Sequence, residues 1–161
     1  MRTVEEVVSI LYRGKTHDQV YDLFGTALKD LMPFGAVSFL MREGDGPRFQ
    51  VRNIYRERPT TLNPGDFAPI DHLPMKEVFE TKRTHVCPDF DLVRSPIVQD
   101  AQKKGFQSSV AAPLIKDGRV FGLLTLVHPV KHTYTEAHAK TLLKVAEGIT
   151  SRLAGAKLIV L

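Results

Sequence analysis

The sequence predicts an α+β domain: a central antiparallel sheet of five to six strands with helices packed on it. Three observations carry this. Ser108 to His128 reads as two apolar runs flanking Lys116-Asp117-Gly118-Arg119. Asp-Gly between such runs is a strong hairpin signal, because the turn needs positive φ that Gly tolerates. A second hairpin is signalled at Ala36 to Tyr55, around Gly44-Asp45-Gly46-Pro47. Helical stripes precede, interrupt and follow the strands, and hairpins at both ends of the strand set favour antiparallel pairing.

In chain order, Val4, Val7, Val8 and Leu11 repeat at helical spacing and predict a short first helix. Thr16 followed by Gln19 resembles a capping box. Val20, Leu23, Phe24, Ala27, Leu28 and Leu31 give a second helix that should end before Pro33. Ala36 to Arg42 reads as a strand. Phe49, Val51, Asn53 and Tyr55 alternate with polar neighbours as its partner. Pro59 to Pro69 reads as a loop. Pro74 to Lys82 is a helix with Met75, Val78 and Phe79 on its apolar side. Thr84 to Cys87 is a short strand stopped by Pro88, Asp89 to Pro96 a loop, and Ile97 to Lys104 a short helix ended by Gly105. After the Asp-Gly hairpin, Thr135-Glu136 starts the last helix.

Bulk properties narrow the class. The 161 residues, 43% hydrophobic and 25% charged, predict one globular domain over 1–161, with 1–15 and 135–161 as flanking helices. No apolar run nears the ~20 residues of a membrane span, and the N-terminus is too acidic for a signal peptide. Cys87 is the single cysteine, which excludes an internal disulfide and points to the reducing cytoplasm. The net charge of +4 comes from scattered Lys and Arg, without the basic run of a nucleic-acid binder. Neither nucleic acid nor membrane is an expected partner.

Ser109-Val110-Ala111-Ala112-Pro113-Leu114, then Gly118, then Gly122-Leu123-Leu124-Thr125-Leu126 resemble the final hairpin of GAF domains. These are small-molecule-binding sensor modules of signalling proteins. Tyr134-Thr135-Glu136 with Leu142-Leu143-Lys144-Val145-Ala146 is similar to the family's last helix. Val78 to Arg83, leading into Val86-Cys87-Pro88-Asp89, resembles its "helix, basic turn, strand, Pro-Asp" element. The match runs over roughly Thr16 to Ala156. It implies a GAF-like, PAS-related fold, with any ligand held between one sheet face and the helix-loop layer, and frequently a dimer through terminal helices. It also implies an output domain covalently linked to the sensor, as in two-component systems, transcription regulators or second-messenger enzymes.

The resemblance also tests specific chemistries. A small GAF-like group reduces free methionine sulfoxide with cysteines in the loop after Pro-Asp; here Phe90 to Gln99 holds none. Bilin-tethering relatives carry a Cys-His pair or a later Cys, and neither pattern is present, so no covalent bilin is expected. Cyclic-nucleotide binders carry Asn-Lys, Phe and Asp-Glu where this chain has His128-Pro129, Tyr134 and His138-Ala139. Only the aromatic survives, which puts cyclic nucleotides in doubt. His128 and His132 share metal-pair spacing, but Pro129 makes that segment a loop; His85 near Asp89 is another candidate pair. No phosphate loop, nucleophile elbow or paired acidic motif occurs. No catalytic and no metal residue is assigned.

Strand parity supplies candidate ligand residues. Phe39 and Met41, then Val51, Asn53 and Tyr55, then Ser108, Val110 and Ala112 are parity sets, and alternation alone does not say which set meets the loop layer. With these sets facing it, Phe67, Ile70, Met75, Phe79, Phe90, Ile97 and Val98 would form a roof over an unidentified small molecule. The ligand set is then Phe39, Met41, Asn53, Tyr55, Phe79, Phe90, Ser108, Val110 and Ala112. The alternative is a core closed by the same aromatics. Leu142, Ala146, Ile149, Leu153, Ala156 and Val160 follow steps of four and three, a heptad seam that predicts a homodimer; the other reading is the core stripe of an ordinary last helix. The expected function is therefore a sensory domain. The alternatives are a free methionine sulfoxide reductase-like enzyme, or a ligand-free dimerisation module.

Overall fold

The computed structural model describes residues 2–12, 17–42, 44, 46–69 and 75–151, without the side chains of 17–19, 21, 53 and 54. Helix α1 (Val4–Ile10) starts on a capping box in which Thr3 accepts from the Glu6 N–H and Glu6 reaches back to the Thr3 backbone. Helix α2 spans His17–Leu28; Thr16 lies outside the described residues. Then come strands β1 (Ala36–Arg42), β2 (Arg48–Arg56) and β3 (Phe67–Pro69), helix α3 (Met75–Thr81), strand β4 (His85–Cys87), a 3-10 turn (Phe90–Leu92) and helix α4 (Pro96–Lys103). Strands β5 (Ser108–Lys116) and β6 (Arg119–His128) and helix α5 (Glu136–Ser151) complete the order.

The strands form one six-stranded sheet, order β3-β2-β1-β6-β5-β4, with antiparallel pairs throughout. The Asp-Gly turn behaves as its residues demand: Asp117 and Gly118 have φ of 53° and 76°, the double positive φ of a type I′ hairpin. The segment expected as loop from Pro59 to Pro69 ends in strand β3, which pairs Phe67–Pro69 with Arg48–Gln50. Its proline is tolerated because it sits on the sheet edge.

Both sheet faces are covered. One carries α1, α2 and α5, and its core unites Val37, Phe39 and Met41 of β1 with Val110, Ala112 and Leu114 of β5 and Leu124 and Leu126 of β6. The other face carries α3, α4 and the connecting loops. There Leu40, Phe49, Val51, Ala111 and Leu123 pack with Met75 and Val78, and beside them Ala36 and Cys87 pack with Phe90, Val98 and Phe106. Continuous burial along β5 follows from being sandwiched on two sides.

Two features change the sequence picture. The β1–β2 register shifts between Phe39 and Leu40, where Phe39 faces Asn53 but Leu40 faces Val51, so Arg52 is an extra residue in β2. Such a bulge transfers every following side chain to the other face. Phe49 and Val51 therefore meet the loop layer, while Tyr55 packs against Phe34 on the helical side. The heptad seam also finds its partner inside the domain. Leu142, Ala146 and Ile149 are fully buried in the core with α1 and β5, leaving none of their surface for a second copy. Leu153, Ala156 and Val160 lie outside the described residues.

Candidate functional site

A half-open cavity of about 110 Å³ lies between the sheet and the α3/α4 layer. Its floor is Ser38 and Leu40 of β1, Thr125 and Val127 of β6, and Ser109 and Ala111 of β5. These residues stand in register across the three strands: Ser38 opposes Thr125, which opposes Ala111, and Val127 opposes Ser109. The roof is Thr60, Thr61 and Leu62 from the β2–β3 loop, Met75 from α3, Phe90 from the 3-10 turn, Ile97, Val98 and Ala101 from α4, and Phe106 beyond it.

Short polar contacts hold this roof in place. Arg56 donates to the Thr60 hydroxyl at 3.0 Å, and that hydroxyl donates to the Leu62 carbonyl at 2.9 Å. Asp89 caps the 3-10 turn by accepting from the Asp91 N–H, and Lys131 binds both Asp89 and Asp91. The Lys131 ammonium, with Gln102 behind it, holds the Asp91 carboxyl below the usual carboxylate range. The Phe90 N–H donates to the Gln107 carbonyl at 2.9 Å, tying the turn to the start of β5. Gly105, at φ 95°, ends α4 where a Cβ would stand 2.5 Å from the Arg58 guanidinium, and Arg58 lies over the Phe106 ring.

The cavity takes the parity opposite to the set read from the sequence. Phe39, Met41, Val110 and Ala112 belong to the helical face, and Tyr55 joins them because of the bulge at Arg52. Ser108 donates to the Val130 carbonyl instead of meeting a ligand. The side chain of Asn53 and the whole of Ile70 lie outside the described residues. Phe79 stacks edge-on against Phe49, Phe67 sits exposed on the edge strand under Arg48, and neither lines the cavity. Of the eight candidate ligand residues whose side chains are described, Phe90 alone does. The proposed roof is better placed: Met75, Phe90, Ile97 and Val98 all line it. The floor residues Ser38, Leu40, Ser109 and Ala111 were missed although they alternate with those chosen, and Thr125 and Val127 were missed because no residue of β6 was chosen.

The polar chemistry inside is sparse. The Thr125 Oγ1 is buried without a hydrogen-bond partner. Cys87, opposite Ser109, is buried, and burial pushes its thiol pKa up, against a weak opposing contact to the Asp89 carbonyl at 3.8 Å. A raised thiol pKa depletes the nucleophilic thiolate. His85, opposite Ala111, is half-buried, and burial pushes its pKa down despite the countering charge of Glu77. Among the described residues no three His, Cys, Asp or Glu side chains gather as a metal group. His128 spends its Nδ1 on the Val130 N–H at 3.0 Å, within the loop that Pro129 predicts. No helix among the described residues is long and apolar enough to cross a membrane.

An antiparallel sheet covered by helices on both faces, with a cavity on one, defines a GAF-like α+β domain. The profile of the GAF domain family matches residues 15–154, and the chain belongs to that family. Among solved structures it is similar to free methionine-R-sulfoxide reductase of Neisseria meningitidis, solved with its substrate. That match has a TM-score of 0.73 at 20% identity, covering 94% of this chain and 84% of that one. A GAF domain from a phosphoenolpyruvate-protein phosphotransferase of Coxiella burnetii matches at TM-score 0.73 and 14% identity, over 94% and 90%. The chromophore-binding domain of Stigmatella aurantiaca phytochrome P1 matches at TM-score 0.70 and 17% identity, over 94% of this chain and 59% of that one. At these identities the likeness shows the fold alone. Among curated proteins none matches the sequence.

Proposed function

We propose that this GAF domain is a sensor: a small molecule occupies the cavity, and its presence alters how the sheet packs on α1 and α5. One observation carries the reading. The strands that floor the cavity are the strands that hold the terminal helix, through alternate residues. Thr125 faces the cavity while Leu124 and Leu126 enter the helical core, and Ala111 faces it while Val110 and Ala112 touch the α5 side. Occupancy on one face is thus felt one residue away on the other. A ligand shifts such a packing equilibrium only by its differential affinity for the two arrangements. The terminal helices would carry that bias to a linked output domain in the cytoplasm.

The test is a thermal-shift screen with small metabolites on the wild-type chain and on Ala101→Leu, which fills the cavity from the roof. Compounds that raise Tm in the first and not in the second support the reading. A screen in which Ala101→Leu responds like wild type defeats it.

A reductase reading draws on the fold similarity to the Neisseria enzyme, but the chain's single thiol is buried and poorly ionised. Turnover of free methionine sulfoxide that is lost in Cys87→Ser would establish it against the sensor reading.

A further inference from the structure

We infer that the cavity selects an uncharged, largely apolar molecule about the size of a single ring, carrying one hydrogen-bonding group that meets Thr125. This rests on the cavity being the binding site and specifies the class of its ligand. Among the described residues, no ionisable side chain lines the space. The walls are Leu, Val, Ile, Met, Phe and Ala, with Ser and Thr hydroxyls. Two charged groups border it, each at a hydroxyl of the roof: Arg56 bonds the Thr60 hydroxyl, and Asp100, paired with Lys104, meets that of Thr61.

A carboxylate or ammonium seated against this lining would lose much of its hydration with no charged lining side chain to replace it, a cost that disfavours charged ligands. Apolar walls favour a ligand with the same character. Size follows from volume: a cavity of about 150 Å³ holds benzene, so about 110 Å³ suits a molecule of similar or smaller bulk. The buried Thr125 Oγ1 has no partner. An unsatisfied buried hydroxyl favours any ligand group that completes its hydrogen bond. Thr125 lies at the centre of the floor, between Ser38 and Ala111, so the polar group of the ligand points at the sheet and its apolar part at the roof.

The probes are benzene, phenol and benzoate, titrated into the full chain and followed by backbone amide NMR. Benzene and phenol are expected to bind, phenol tighter by about threefold to tenfold through one neutral hydrogen bond. Benzoate is expected to bind at least about a hundredfold more weakly than phenol. Thr125→Val should erase the preference for phenol and leave benzene binding intact. Ala101→Leu and Ala111→Val, on opposite walls, should each block both, with circular-dichroism melts confirming that the variants fold.

Benzoate binding as tightly as phenol and blocked by the filling variants overturns the uncharged class while the cavity stands as the site. Neutral probes that still bind both filled variants overturn the cavity reading itself. No binding of benzene or phenol at millimolar concentration overturns this inference, and a thermal-shift hit blocked by Ala101→Leu then still supports the site. An undiminished phenol preference in Thr125→Val overturns the role of that hydroxyl.

Discussion

At the scale of single residues, burial decides what the titratable groups do. Cys87 is 3% exposed and its thiol pKa is raised, so alkylation is expected to wait for unfolding. Iodoacetamide labelling of native protein at pH 8 should proceed at less than about one-hundredth of the rate in denaturant; comparable rates would contradict the packing around Cys87. The two histidines set an acid dependence. His85 is depressed by burial, and His128 by burial reinforced by the charges of Arg58 and Lys29. A base with a folded pKa below its unfolded 6.5 takes up protons first in the unfolded chain, so stability is complete above 6.5 and declines as pH falls through it towards the lowered value. Denaturant midpoints should fall between pH 7 and 5, and His85→Asn should flatten that slope. Tyr134, buried with its hydroxyl donating to the Pro33 carbonyl, is pushed the other way. Its contribution is lost only as pH rises above the ordinary phenol value of 10.

At the scale of elements, close approach outweighs propensity. Gly25 sits inside α2, where alanine normally gains about 1 kcal/mol. A Cβ there would stand 2.3 Å from the Tyr55 ring, so the sign reverses. Gly25→Ala is expected to cost about 1–3 kcal/mol by overpacking, read from urea midpoints; a stabilised variant would mean Tyr55 yields freely. That contact exists because the bulge at Arg52 turns Tyr55 towards α2, and the same bulge marks what the sequence left illegible. Period-two alternation from Phe49 to Tyr55 is real as a pattern, but a bulge has no composition of its own, so the strand reads as one face when it serves two. The Asp117-Gly118 turn and the ends of α2 and α4 were legible because local φ preferences decide them. The seam Leu142–Ala146–Ile149 was legible as a stripe and illegible as to partner, because its spacing is the same whether it packs on a second chain or on α1. Ile149→Glu should therefore abolish the cooperative melt rather than convert a dimer to monomers, and a folded monomeric variant in light scattering would contradict the burial of Ile149.

At the scale of the whole molecule, the sheet separates two cores that share its strands. The helical core is closed by α1, which lies before the family-matched residues 15–154, yet buries Val7, Val8, Ile10 and Leu11. Tyr12, just beyond it, donates its hydroxyl to the Ile149 carbonyl, and Val8 meets the bare backbone of Gly148, a Cβ at that position standing 3.0 Å from the valine. The N-terminal helix is thus clamped to α5 around Gly148 and Ile149. A change in sheet packing reaches α5 directly, because α5 packs on β5, and reaches α1 through its contact with α5. Occupancy of the cavity should then slow hydrogen exchange at α5 amides from Leu142 to Ile149 and at α1 in step, although no ligand atom touches either helix. Tyr12→Phe removes one hydrogen bond, costing about 1 kcal/mol. It should raise exchange at the end of α5 and reduce the ligand-dependent change in α1 while leaving binding affinity within about twofold. Protection confined to α3 and α4 on binding would show that the two cores are insulated from one another, and the coupling through alternate residues of β5 and β6 would fail.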